Sequence, residues 1–195
     1  MAKAAVPVVS ALLSRCVFAA VNSMINGVQI GTITYSFKQD VSKPGDIVPD
    51  LVKIGLSEVE LMSDDGERLA GAPSITSFGF GARLNPQRQA AVEEGRRRRM
   101  DWRTKTTEGA FDKIRQLFDH ARISLRTLCY NMSANIADGK IDHAFRMAQA
   151  LQVAAISSTS KVAIARRVAP FVEKYKIIWA GHNHGSTRFR RGRIP

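Results

Sequence analysis

Two histidines one residue apart, His182 and His184, follow the apolar run of residues 177–180. Alternate residues of a β-strand point to the same side, so on a strand the two imidazoles would converge at its end. Neutral imidazole is a common ligand of divalent metals and a natural general base near neutral pH. The spacing suits a zinc-type or manganese-type site or proton transfer, and two loop histidines without a ligand are the alternative. His120 and His143 lie on predicted helices, where we expect surface or packing roles.

Strand-like and helix-like segments alternate along the chain from residue 26 onward. β-Branched and aromatic runs predict strands at 28–37, 58–62, 124–132, 153–157 and 176–180. Apolar residues at helical spacing predict helices at 46–54, 109–121 and 140–151, and a fourth with its apolar stripe over 162–172. Such alternation implies parallel strands joined by helical crossovers, in a doubly wound sheet or a (βα)₈ barrel. No GxGxxG follows the first strand, which favours the barrel.

Functional residues of a (βα)₈ barrel cluster at the carboxyl ends of its strands. In this chain, those positions hold Tyr35 and Ser36, Glu60, Tyr130 and Asn131, Ser158 and Thr159, and residues 182–184. The set is polar, aromatic and carboxylate-bearing. It therefore predicts a polyhydroxylated ligand.

Five segments in order, NGVQIGTITYSF, IVPDLVKIGLSEVELMS, LCYNM, IDHAFRMAQALQVAAISSTS and GHNHG, resemble the sugar phosphate isomerase/epimerase family of xylose isomerase-like TIM barrels. The resemblance spans residues 26–185. It implies a barrel that binds a sugar or related polyol at its mouth and moves a proton between adjacent carbons. In such enzymes a carboxylate base takes a proton next to a carbonyl, and a divalent metal (Mn, Mg, Zn or Co) stabilises the enediolate oxygen.

The resemblance also implies roles for individual residues. Glu60 and His184 are the candidate catalytic residues, and His182, His184 and Glu60 are the candidate metal ligands. The candidate substrate-binding residues are Tyr35, Tyr130, Asn131 and Asn183. The alternative for Glu60 is a carboxylate held by a neighbouring Arg or Lys inside the barrel. For the two tyrosines, the alternative is packing at the barrel mouth.

Members of this family run on through three further βα units, so we expect an incomplete, C-terminally truncated barrel. The predicted organisation is an N-terminal extension at 1–25, a partial TIM-type α/β barrel at 26–185 with about five strands and four helices, and an arginine-rich tail at 186–195. A long basic connection at 63–107 interrupts the barrel, and we expect it to be disordered, with a lid over the barrel mouth or a phosphate clamp as the alternatives. An open barrel leaves its first and fifth strands as edges through which the chain could form a homo-oligomer.

The net charge of +12 is concentrated in two short stretches. Residues 83–105 contain eight basic and three acidic residues, including the run at 96–99, and the last eight residues add four arginines without an acid. Such runs form either a solvated surface or a phosphate-binding patch. A basic nucleic-acid-binding protein of the same barrel type is therefore one alternative function. It is disfavoured because Trp102 is the one aromatic residue near the run. Two further alternative functions are a non-catalytic half-barrel that self-associates and a metal-dependent hydrolase.

The N-terminus resembles a weak export signal, which Pro7 and Arg15 interrupt. Cys16 and Cys129 form no disulfide framework, which fits a reducing compartment. No stretch of 18 uninterrupted apolar residues exists, so we expect no membrane span. A cytoplasmic location is the expectation, with export as the alternative.

Overall fold

The centre of the molecule is a parallel sheet of five strands that pair in chain order. The computed structural model describes residues 22–37, 47–76, 83–160 and 162–182. A small antiparallel hairpin of β1 (Met24–Ile25) and β2 (Val28–Gln29) precedes the sheet. The sheet strands are β3 (Thr32–Ile33), β4 (Glu58–Met62), β5 (Ser124–Cys129), β6 (Ala155–Thr159) and β7 (Ile178–His182).

Helical crossovers connect the parallel strands, as the alternating pattern predicts. Within the described residues, the α-helices are α1 (Ile47–Ile54), α2 (Ser63–Leu69), α3 (Pro86–Lys105), α4 (Glu108–His120), α5 (Asp138–Ala150) and α6 (Ala165–Tyr175). The four predicted helices are α1, α4, α5 and α6. Sequential parallel pairing with crossover helices is consistent with a partial α/β barrel, which confirms the predicted fold class.

The predicted first strand at 28–37 is wrong in its extent. Asn26 and Gly27 both have positive φ (50° and 79°), and this Asn-Gly turn folds the chain back into the β1–β2 hairpin. After β3 the chain forms a 3₁₀ turn, Thr34–Phe37. The buried Thr34 hydroxyl accepts the Met62 N–H at 2.9 Å and donates to Asp65 Oδ2 at 2.7 Å. The Thr34 hydroxyl therefore takes the place of a backbone acceptor in the hydrogen bonding between β3 and β4, and β3 ends at Ile33.

The expectation of a disordered connection is also wrong for the described parts of 63–107, which carry α2 and the 20-residue α3; residues 77–82 lie outside the described residues. Asn85 caps α3 by accepting the Arg88 N–H at 2.9 Å, and Pro86 occupies the first helical position. Helix α3 packs closely, since a Cβ on Gly95 would lie 3.2 Å from the Ile75 Cα. It presents no apolar stripe, and its buried contacts are largely those of charged side chains.

The two faces of the sheet have different surroundings. Val59, Leu61, Leu128 and Ile156 are fully buried in the core that the helices cover. The residues that alternate with them point to the other face, which in a closed barrel is the interior. The candidate site lies on that face.

Three sequence expectations lie partly or wholly outside this description. Residues 1–21 of the predicted N-terminal extension and the whole of the predicted tail at 186–195 are outside the described residues. So are Asn183 and His184. In the described ranges, no helix is both long and apolar enough to cross a membrane.

Candidate functional site

A cavity of about 510 Å³ opens at the carboxyl end of the sheet on the face away from the helices, and we call it the rim cavity. Four predicted site residues line it, namely Tyr35, Glu60, Asn131 and His182. The other lining residues are Ile33, Met62, Cys129, Ser157 and Thr159. Parallel register brings these residues together, because strands β4 to β7 end at one edge with Met62 beside Cys129, Cys129 beside Ser157 and Thr159 beside His182.

Glu60 is half-buried in β4 and is oriented from a different strand. The Ser157 hydroxyl of β6 donates to Glu60 Oε1, across the intervening strand β5. Within the described residues, Glu60 Oε2 accepts no hydrogen bond, and no Arg or Lys forms an ion pair with this carboxylate. Arg126 lines an adjoining cavity together with Glu60, but in this part of the chain no barrel cation lies within ion-pair distance of the carboxylate.

Asn131 follows β5 and carries a fixed amide. Its Oδ1 accepts the Thr159 N–H at 2.9 Å, and the Cys129 thiol contacts the same oxygen at 4.0 Å. These contacts leave Nδ2 without a hydrogen-bond partner among the described residues. The amide therefore presents two N–H donors at the cavity.

His182 ends β7 beside Thr159, and its side chain is exposed. A metal site needs at least three protein ligands in its usual catalytic form. Glu60 and His182 line the same cavity, but no group of three His, Cys, Asp or Glu side chains that could hold a metal occurs in the described ranges. The described residues thus do not make a complete metal centre, and the predicted ligand His184 lies outside them.

Tyr130 is the one described candidate that does not line the rim cavity. It lies one residue from both Cys129 and Asn131, so strand alternation turns it to the helix side, where it is 4% exposed. Burial raises the pKa of Tyr130 to about 12, so its hydroxyl stays protonated at neutral pH. Tyr130 instead lines a neighbouring cavity that also includes Arg103. Tyr35, on the 3₁₀ turn after β3, is 56% exposed.

A buried ionic cluster lies beneath this neighbouring cavity, and the sequence interpretation missed it. Glu67 of α2 is fully buried and accepts Arg99 Nη1 at 2.8 Å, Arg103 Nε at 2.6 Å and Arg103 Nη2 at 2.9 Å. The His143 Nε2 also hydrogen-bonds to Glu67 Oε1, at 3.2 Å. Burial by itself would raise the pKa of Glu67, but the hydrogen bonds from His143 and the two arginines lower it to about 2.

The arginine run at 96–99 does not act as one patch. Arg96 pairs with Glu93, and Arg97 and Arg98 pair with Glu94, all on the exposed surface of α3. The fourth residue, Arg99, turns inward to Glu67 and is 4% exposed. The run is thus divided between intrahelical surface pairs and the buried cluster.

Comparison with known proteins supports the fold and no more. Neither a protein-family model nor a curated protein matches the sequence. An uncharacterized protein from Parabacteroides distasonis is similar in structure, with a TM-score of 0.50 and 14% identity over 80% of this chain and 53% of that one. The protein described as the probable 3-DHS dehydratase AsbF, involved in petrobactin synthesis in Bacillus anthracis, gives a TM-score of 0.52 and 10% identity over 82% and 54%. The chain spans about half the length of both structures. The class that fold and comparisons define is a partial α/β barrel.

Proposed function

We propose that this chain binds a sugar or related polyol in the rim cavity and transfers a proton between adjacent carbons, as a sugar isomerase or epimerase does. The observation that carries the proposal is the convergence of Glu60, Asn131 and His182 in one cavity at the carboxyl end of a parallel sheet. A carboxylate, an amide and an imidazole are the groups that such a reaction needs for proton transfer and hydroxyl recognition.

Glu60 is the general base in this proposal. Ser157 holds Oε1, which leaves Oε2 to take the proton from a carbon next to the substrate carbonyl. The electron pair of that C–H bond moves into an enediol, and Glu60 returns the proton to the neighbouring carbon on the same face, which completes isomerisation. Epimerisation needs a proton donor on the opposite face of the carbon, and in this proposal His182 of β7 supplies that proton while Glu60 keeps the one it removed.

Asn131 and His182 orient the substrate in this scheme. The two Nδ2 hydrogens of Asn131 donate to substrate hydroxyl oxygens, because Thr159 holds the opposite end of the amide. His182 lies on the far wall, where its imidazole can exchange a proton with the substrate carbonyl oxygen as charge develops there.

The test is solvent deuterium exchange followed by proton NMR. The full chain, supplied with Mn²⁺ or Mg²⁺, is incubated in D₂O with aldoses, ketoses and their phosphates, and the loss of carbon-bound protons is recorded. We expect exchange on at least one sugar, and we expect Glu60→Gln to slow it roughly 100-fold or more. Glu58→Gln is the matched control, because Glu58 lies two residues earlier on the same face of β4. Equal exchange in the two variants, or none in the folded native chain, would overturn the proposal.

A second candidate function, a non-catalytic half-barrel that self-associates, is favoured by a separate observation. Within the described sheet, β3 and β7 each pair on one side only. On β7, Ile178 is 63% exposed. Edge strands with exposed apolar side chains favour pairing with a second chain. Light scattering on a size-exclusion column tests this candidate: it requires a dimer or larger species without deuterium exchange on any sugar, and a monomer excludes it.

A further inference from the structure

A second cavity, of about 690 Å³, adjoins the rim cavity and shares Met62, Asn131 and Thr159 with it. We call it the helix-side cavity, because it lies between the carboxyl ends of β4 and β5 and the starts of α2 and α5. Its lining includes two cationic side chains, Arg103 and Lys140. No Lys or Arg is among the described residues of the rim cavity. The helix-side cavity thus carries cationic side chains, whereas the described lining of the rim cavity carries none.

Arg103 is held in place before any ligand arrives. Its Nε and Nη2 both donate to the buried Glu67 carboxylate, at 2.6 and 2.9 Å. Its Nη1 contacts only the Met100 Sδ, at 3.9 Å, in the described part of the chain. The guanidinium also lies 5.9 Å from the Tyr130 ring centroid. A fixed guanidinium with a spare Nη group is suited to bind an oxyanion, because little side-chain entropy is lost on binding.

The charges around the helix-side cavity leave it positive. The negative charge of Glu67 neutralises the positive charge of one of the two arginines that it binds. Asp64 also lines the cavity, but its side chain is 66% exposed and its nearest cation is Arg99, at 3.7 Å. Lys140 forms no ion pair with any described residue. Its ammonium is therefore the uncompensated charge of the site.

The start of α5 adds a weaker contribution of the same sign. The residue before the helix is Ala137, whose methyl side chain cannot cap the first backbone N–H groups, and Ala137 and Lys140 both line the cavity. The carboxylate in the first turn, Asp138, is paired with Arg167 of α6. The space beside this turn is open, since a Cβ on Gly139 would meet nothing within 4 Å. Uncapped N–H groups at a helix start favour negative charge.

We infer that the helix-side cavity binds the anionic end, a phosphate or carboxylate, of the ligand whose hydroxyl-bearing part lies in the rim cavity. The inference builds on the proposed function and narrows its substrate class to sugar phosphates or sugar acids. Arg103 and Lys140 bind the oxyanion. Asn131, which lines both cavities, lies where the anionic end of the ligand joins its hydroxyl-bearing part. Glu67 is then a positioning residue that acts through Arg103.

Isothermal titration with four probes tests the inference: ribose 5-phosphate, ribonate, ribose and inorganic phosphate. We expect a charged sugar to bind more tightly than ribose, with binding that weakens as salt increases. Lys140→Gln should weaken the preferred charged probe about 10-fold or more and leave ribose unchanged. The control is Lys53→Gln, which removes the same charge from the exposed end of α1 and should change neither. Preference for ribose 5-phosphate or for ribonate identifies the oxyanion.

The Arg103→Lys variant is an independent test of the anion site. It keeps the positive charge but loses the pair of hydrogen bonds that Arg103 Nε and Nη2 donate to the Glu67 carboxylate. We expect weakened binding of the charged probe, and circular dichroism establishes that each variant is folded. Equal affinity for ribose and the charged sugars, unaffected by Lys140→Gln, would overturn the anion site and leave the proposed polyol site standing. Phosphate binding that needs Lys140, without deuterium exchange on any sugar, would instead support the anion site and refute the proposed function. Absence of binding by all four probes would refute the anion site, and the deuterium exchange on the wider panel of sugars would still decide the proposed function.

Discussion

Replacing Glu67 by glutamine should destabilise the protein strongly, because it leaves the buried Arg99 and the partly buried Arg103 with only the exposed Asp64 carboxylate, 3.7 Å from Arg99, as a counter-charge. Two routes give the magnitude. The folded state lowers the pKa of Glu67 from 4.5 to about 2, which corresponds to about 3 kcal/mol in favour of the ionised form. Removing one partner of a buried ion pair costs roughly 3–5 kcal/mol. The expected loss for Glu67→Gln at neutral pH is therefore about 3 kcal/mol of unfolding free energy.

The same contribution has a defined pH dependence. Because the pKa of Glu67 is lower in the folded than in the unfolded state, the stabilisation is complete above about pH 4.5 and is lost as the pH falls towards 2. By pH 3, roughly 2 of the 3 kcal/mol should be gone. The Glu67→Gln variant lacks this titration. The difference between it and the native chain should therefore narrow from about 3 to about 1 kcal/mol between pH 7 and pH 3.

Urea unfolding followed by tryptophan fluorescence measures both quantities. Glu93→Gln is the control, because it breaks an ion pair with Arg96 in which both side chains are more than 60% exposed, and it should cost less than about 1 kcal/mol. If Glu67→Gln costs no more than this control at pH 7, the buried cluster does not hold α3 in place. A difference that stays constant down to pH 3 would refute the assigned protonation of Glu67.

Three further variants test other predictions. Gly31→Ala should lose about 1–3 kcal/mol of stability in thermal unfolding, because its Cβ would lie 2.8 Å from a backbone carbonyl of β4; an unchanged melting temperature would contradict this packing. Trp179→Phe should leave stability within about 1 kcal/mol of the native value, because the buried Nε1 has no hydrogen-bond partner among the described residues; a much larger loss would mean that the N–H is satisfied. The predicted metal site at His182 and His184 is tested by elemental analysis: replacing both by alanine should lower the content of divalent metal, whereas His120→Ala should not, and unchanged metal content would discard the site.

Strand positions could be read from the sequence because alternation and apolar content are local signals. Strand β4 has the predicted bounds, whereas β6 and β7 begin two residues later than predicted. The reason is that Val153 and Ile177 are buried loop residues, each following a residue with positive φ, Gln152 or Lys176. Their apolar side chains extend the pattern although their backbones lie outside the ladder.

Helix α3 could not be predicted from periodicity, because its attachment depends on charge pairs between distant segments. Arg99 and Arg103 lie 32 and 36 residues from Glu67 in sequence, and His143 lies 76 residues from it. A run of arginines has the same composition whether it faces solvent or a buried carboxylate. The fold alone decides which of them turns inward.

The sequence predicts those residues of the candidate site that the two-residue period of a strand turns to the same face. The pattern predicts Glu60 at a strand tip, but Glu60 lies at the centre of β4, two residues before its end, and Asn131 lies two residues after the end of β5; both line the rim cavity. The resemblance also implies a substrate-binding role for Tyr130, but Tyr130 lies one residue out of phase with Asn131, and the two-residue period of a strand turns its side chain away from the rim cavity. The Ser157 hydroxyl was overlooked because a lone serine on a strand has no distinctive spacing.

Chemical-shift mapping of the folded, ¹⁵N-labelled chain with a sugar ligand tests the central claim most directly, since that claim is where a polyol binds. The account predicts that titration with ribose 5-phosphate shifts the amide signals of Tyr35, Glu60, Asn131 and His182 in one saturable transition. Shifts confined to the amide signals of the exposed arginines of α3 would contradict this claim. The absence of any shift throughout the titration would contradict it as well.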